Sequence, residues 1–199
     1  MPRSDRKPSP LSDTKLEELA LAYVARFATT RSKLEGYLSR KLRERGWEGD
    51  ALPDAAGLAQ RFAEAGYVDD AVYAKMKSES LLRRGYGGRR VGEVLRAAGV
   101  EEALRQDVAP VAAEARRAAF ALARRRRFGP FADPLPDRPQ RDKQIGAMLR
   151  AGHTLDNARQ IVEAADLATV QEWVESALPG ECDDRDFGDG EFGGDGMCE

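Results

Sequence analysis

VLRAAG, residues 94–99, decides how this chain is read. Leucine, arginine and alanine favour a helix, and the glycine after them suits the left-handed residue on which a helix closes. Related endings lie on either side: KLRERG at 41–46 and MLRAG at 148–152. Gly46, Gly99 and Gly152 stand 53 residues apart both times, and Leu42, Leu95 and Met148 keep that offset. Three such matches could arise by chance in a chain rich in Ala, Leu, Arg and Gly. What argues against chance is a shared order: one helix precedes each of these and a shorter one follows. The preceding helices are expected at 16–28, 70–84 and 111–127, and the following ones at 54–65, 101–108 and 155–165. Self-similarity at a fixed period marks a repeat array, in which each unit buries its apolar face against itself and its neighbours.

The apolar spacing carries the same reading. Leu16, Leu19, Ala20, Tyr23, Val24 and Phe27 form one helical stripe, and Thr14 with Glu17 is expected to close its first turn as a capping box. Leu34, Tyr37, Leu38 and Leu42 form a second stripe; Leu58, Phe62 and Ala65 form a third, ending at Gly66. Val170, Trp173, Val174, Ala177 and Leu178 form a last one, stopped by Pro179-Gly180 and expected to pack back on the third unit. Nothing alternates as a strand would. The expected fold is all-α: an elongated array of three tandem three-helix units, at 14–66, 67–110 and 111–178. Residues 1–13 are expected to be a flexible N-terminus. The stretch FGPFADPLPDRP, residues 128–139, has four prolines and reads as a semi-rigid linker inside the third unit.

Composition narrows the function. The 199 residues carry a net charge of −2, but residues 181–199 hold eight acidic residues and one arginine, leaving +5 for residues 1–180. The body is basic. The segment 179–199 is acidic, glycine-rich and expected to be disordered, and its charge suits it to fold over the body and compete with DNA. No apolar run approaches the roughly 20 residues of a membrane span, and no signal-peptide stretch follows MPRSDRKPSP, so a cytoplasmic protein is expected. Cys182 and Cys198 both fall in the last 18 residues, which argues against a disulfide scaffold. With His153 as the single histidine, no Cys/His metal site of ordinary spacing can be built.

Candidate chemistry is sparse. Asp69 and Asp70 in GYVDDAVYA, residues 66–74, suggest acid–base or metal work. Their position fits capping better, with Asp69 at the N-cap, Asp70 favouring the dipole, and Val68 and Tyr73 as a hydrophobic staple. His153 has no nucleophile or carboxylate arranged beside it and reads as a surface turn residue. No catalytic residue, cofactor site or metal site is expected. The strongest anomaly is RRGYGGRR, residues 83–90. Arg83 and Arg84 suit the end of a helix, but Arg89 and Arg90 open the next one, where two cations oppose the dipole. Either a solvated turn joins two helices here or a polyanion docks beside Tyr86. The run RRRRF at 124–128 poses the same choice for Arg124, Arg125, Arg126 and Arg127. Phe128 and Phe131 either stack on single-stranded bases or seat the linker.

AYVARFATTRSKLEGYLSRKLRERG, followed by GYVDDAVYAKMKSESLLRRGYGGRRVGEVLRAAGV, resembles the RecX family of recombinase regulators. The resemblance rests on Gly66, Tyr67, Asp70, Tyr86, Gly87, Arg89, Arg90, Leu95, Gly99 and Val100. It is specific over residues 16–100 and looser over 111–165; the pair Gly87-Gly88 and the four-arginine run depart from the family pattern. It implies a non-enzymatic, monomeric regulator that binds the groove of the RecA filament on single-stranded DNA. Such a protein would restrain strand exchange, ATP hydrolysis and repressor cleavage in DNA repair and the SOS response. Weak non-specific DNA binding would follow from the basic body. The candidate contact residues are Arg83, Arg84, Tyr86, Arg89 and Arg90, with Arg124–Arg127 second. An alternative is a DNA-binding regulator of helix-turn-helix type, although VGEVLRAAGV is too apolar to read bases well. A helical-repeat adaptor with protein partners only is a third possibility.

Overall fold

Most helices of this chain begin on a side chain that accepts one of the first-turn N–H groups, the groups a helix cannot satisfy itself. Ser12 receives Lys15 N at 3.5 Å, Thr30 receives Lys33 N at 3.2 Å, and Asp54 receives Gly57 N at 2.7 Å. Asp69 receives Val72 N at 2.9 Å, Thr154 receives Asn157 N at 3.2 Å and Asp166 receives Thr169 N at 2.8 Å. Asp137 and Gln140 cap reciprocally, each side chain accepting from the other's backbone N–H.

These caps open a wholly helical structure, a computed structural model that describes residues 9–177. In chain order its helices are α1 (Asp13–Val24), α2 (Arg31–Arg45), α3 (Ala55–Glu64), α4 (Asp70–Arg83), α5 (Gly88–Ala97), α6 (Glu102–Asp107), α7 (Ala112–Arg126), α8 (Arg138–Arg150), α9 (Leu155–Val162) and α10 (Leu167–Glu175). A single 3-10 turn, Gly129–Phe131, lies between α7 and α8. No strand occurs among the described residues; Leu11 and Trp47 form one isolated bridge. The acidic segment and Leu178 lie outside the described residues, as do residues 1–8.

The chain divides into two compact units. One comprises the chain up to Ser80 with Val91–Ala109; the other comprises Leu81–Arg90 and the described chain from Pro110 onward. The 67–110 stretch is therefore shared between them.

In the first unit α2 packs on α1 and α3. Its core holds Leu11, Leu16, Leu34, Leu38, Leu58, Phe62 and Val68, with Tyr23 stacked on Tyr37 at 4.2 Å. Two expectations shift here. The cap of α1 is Ser12 rather than Thr14, because the helix begins three residues before Leu16. Phe27 falls beyond the end of α1 and is 52% exposed rather than part of the apolar stripe.

In the second unit α9 packs on α7 and α8, and α10 lies on α7 and α9. Ala119, Leu122, Ala123, Met148, Ala158, Ile161, Val162 and Val170 form its core. Alanines on the buried side of α7 let the neighbouring helices come close. Arg116 fastens α10 by donating to the Trp173 carbonyl at 2.8 Å with its guanidinium over the indole ring. The proline-rich segment is pinned to this core. Phe128 and Phe131 pack against it, Phe131 edge-on to Phe120 at 5.2 Å, and Gly129 N donates to Gln144 Oε1 at 2.8 Å. Of the two readings offered for these phenylalanines, the seating one describes what they do here.

Candidate functional site

Both arginine runs fall in the second unit, and what gathers them is a seam between helix ends. The segment 85–89 lies against the turn at 151–153. Gly87 N donates to the Ala151 carbonyl at 2.9 Å and Arg89 N to the Gly152 carbonyl at 3.3 Å. Carbonyls that leave α8 thus receive N–H groups that open α5, so each set of end groups is satisfied by the other.

The approach is too close for side chains. A Cβ on Gly87 would lie 2.1 Å from the Gly152 carbonyl oxygen, and one on Gly152 would lie 2.4 Å from Arg90 N. The glycines of GYGG are therefore a packing requirement as well as a turn.

Arg89 has a structural task in this seam. Its guanidinium donates to the Leu149 carbonyl at the end of α8, where a cation complements the negative end of the dipole. The anomaly of two cations opening α5 is half resolved: Arg89 answers a different helix. Arg90 is exposed.

His153 completes the seam and corrects the sequence reading, which put it on the surface. It is 4% exposed, and its ring Nε2 lies 3.0 Å from the Gly85 carbonyl. Because a carbonyl only accepts, Nε2 carries the proton and Nδ1 is the unprotonated nitrogen. Nδ1 is buried with no hydrogen-bond partner. Burial holds the imidazole below its ordinary pKa, partly opposed by the Gly85 bond. The spacing that made Gly152 the counterpart of Gly99 pointed at this turn. Nothing in it said that the next side chain would be buried.

The second run arrives through α7. Arg125 donates from its guanidinium to the Arg84 carbonyl, a bond spanning 41 residues that joins the end of α7 to the end of α4. Arg83, Arg84, Arg89, Arg90 and Arg124–Arg127 are all exposed in part, and Tyr86 is half-buried beside them. No acidic residue interrupts the sequence between Glu114 and Asp133. Arg127 closes α7 in the left-handed conformation at φ 55°, which costs an arginine about 1 kcal/mol that a glycine would not incur. The chain keeps a cation where helix geometry favours glycine.

The paired aspartates are structural. Asp69 caps α4, and Asp70 Oδ1 accepts Arg31 N at 2.8 Å, serving the first turn of α2 in the first unit. Among the described residues no cluster of His, Cys, Asp or Glu could hold a metal ion, and no helix is long and apolar enough to cross a membrane.

No family model matches the chain. Individual relatives do. A protein named Regulatory protein RecX from Myxococcus xanthus (strain DK1622) is 32% identical over 171 residues, covering 81% of this chain and 91% of its own length. The Regulatory protein RecX of Mycobacterium sp. (strain JLS) is 31% identical over 166 residues, covering 80% of this chain and 88% of its own. Among solved structures, the crystal structure of RecX from Lactobacillus salivarius superposes with a TM-score of 0.58 at 17% identity, covering 75% of this chain and 94% of that one. A second crystal structure of regulatory protein RecX gives 0.54 at 20%, covering 76% and 71%. The structural likeness establishes the shared helical fold, and identity sustained along most of both sequences establishes descent: this chain belongs to the RecX family of regulatory proteins.

Proposed function

We propose that the chain is a non-enzymatic regulator of the RecA recombinase, acting as a cytoplasmic monomer. In this reading it binds the RecA filament on single-stranded DNA and seats its arginine-rich unit in the filament groove. It thereby restrains strand exchange, ATP hydrolysis and stimulated repressor cleavage during DNA repair and the SOS response. Family membership supports the partner. The observation that carries the mode of binding is the Arg125–Arg84 bond, which joins two basic runs far apart in sequence into one surface. A surface of that kind supplies affinity and on-rate against phosphate without reading sequence.

The reading keeps the three-unit division at 14–66, 67–110 and 111–178. What supports it is that the seam recurs. Thr30 donates to the Ala98 carbonyl at 2.5 Å, and a Cβ on Gly99 would meet Ser32 at 2.3 Å. The turn entering α2 thus docks on the glycine ending α5, as the turn entering α5 docks on the glycine ending α8. A helix-turn-helix reading would put α5 into a DNA groove by its N-terminus. That end is occupied by the Ala151 and Gly152 carbonyls, which disfavours it.

The test compares binding of labelled protein, near physiological salt, to single-stranded DNA, to RecA, and to RecA assembled on that DNA with a non-hydrolysed ATP analogue. Tightest binding to the assembled filament is expected. Equal binding to bare DNA and filament would remove the mechanism.

A further inference from the structure

Phe120, Ala121, Arg124 and Arg125 of α7 line an open notch of about 300 Å³. We infer that this notch holds one nucleotide of a single strand, its base against Phe120 and its phosphate against Arg124 and Arg125. The inference rests on the reading above that the arginine surface meets nucleic acid, and adds the contact that selects single strands from duplex.

Three features favour this occupant. The four residues stand at i, i+1, i+4 and i+5 on one helix, so an aromatic and two guanidiniums share one patch. Both kinds of group are held in place. The Phe120 ring lies nearly perpendicular to that of Phe131, at 82° between planes, and packs on the core. Arg125 is held by its bond to the Arg84 carbonyl. A guanidinium has five N–H donors, so that bond leaves others for a phosphate oxygen. Finally, Ala121 ends at its Cβ, and a larger side chain there would fill the notch.

The chemistry of the lining selects the ligand. A partly buried aromatic ring beside arginines, with no acidic residue in the surrounding sequence from 115 to 132, suits a flat π-system carrying negative charge. Single-stranded nucleic acid offers base faces and phosphates in alternation, and base–aromatic stacking tolerates any sequence. In a duplex those faces are already stacked, so only the phosphates would engage.

The experiment uses the full chain without RecA, and so separates this inference from the recombinase reading. A single-stranded oligonucleotide containing 2-aminopurine, the corresponding duplex and a mononucleotide are titrated at low salt. Ala121→Leu fills the notch while keeping every charge and leaving the Phe120 packing in place. It should weaken single-strand binding about tenfold, abolish the 2-aminopurine emission change and leave duplex binding unaltered. Arg124→Gln should weaken single strand and duplex together and reduce the salt slope by about one. Unchanged single-strand affinity and emission in a folded Ala121→Leu protein would overturn the inference. So would equal losses on single strand and duplex, or binding of the mononucleotide as tight as that of the oligonucleotide.

Discussion

Gly87 carries a constraint that its residue type alone does not reveal. In sequence it reads as part of the turn joining two helices, yet a side chain there would also collide with the Gly152 carbonyl. Because the obstacle is backbone that also accepts Arg89 N, it cannot move aside cheaply. Gly87→Ala should therefore lower stability by about 2–4 kcal/mol, read by chemical denaturation; a change below 0.5 kcal/mol (within ordinary surface effects) would contradict the packing. His153 makes a pH-dependent contribution whose sign follows from its surroundings. Burial depresses its folded pKa below the ordinary value of about 6.5. Above that value the ring is neutral in both states and contributes no slope. Below it the unfolded chain takes a proton that the folded chain refuses, so stability falls with falling pH until the depressed folded pKa is reached. The melting temperature should decline on acidification below about 6.5, with a smaller decline in His153→Gln. Parallel declines in both proteins would show that carboxylates elsewhere dominate.

Between elements, the recurring device is one helix beginning where another ends. α5 borrows carbonyls from the turn after α8, while α2 is capped by Thr30, whose hydroxyl also donates to the carbonyl before Gly99. Thr30 is fully buried, so its hydroxyl, which water cannot reach, depends on the two backbone groups it bonds. Thr30→Val keeps shape but removes both bonds, and should cost about 2 kcal/mol, while Thr30→Ser should cost less than half of that. Equal stability of wild type and Thr30→Val would show that the hydroxyl contributes nothing net. The same logic explains why reversing Arg89 is a poor probe of binding: the change would place a carboxylate against the Leu149 carbonyl and weaken the seam itself.

At the scale of the molecule, the proposed filament contact rests on the exposed arginines of the second unit. Arg84, Arg124 and Arg126 have exposed side chains, and the Arg84 carbonyl that holds Arg125 belongs to the backbone, so it survives substitution. Replacing these three with glutamate should weaken filament binding by at least about tenfold and flatten its salt dependence by about three in slope, with the circular dichroism spectrum unchanged. A folded triple variant with wild-type affinity and salt slope would move the interface off the arginine surface.

Helix type, approximate bounds and the repeating glycines were legible in the sequence because they rest on local physics. Leu34 and Leu38 declare a buried face by spacing, and Gly46, Gly99 and Gly152 all adopt the positive φ that a side chain resists. The resemblance to RecX was legible from the ordered run at 66–100. What local patterning could not contain was which distant segment each turn would meet. That Arg125 reaches Arg84, that His153 is buried under Gly85, and that Arg89 belongs to α8 all depend on contacts across 41 to 68 residues. Such contacts carry no periodicity. They form only when packed helices bring their unsatisfied ends together, and this decides which arginines hold the fold.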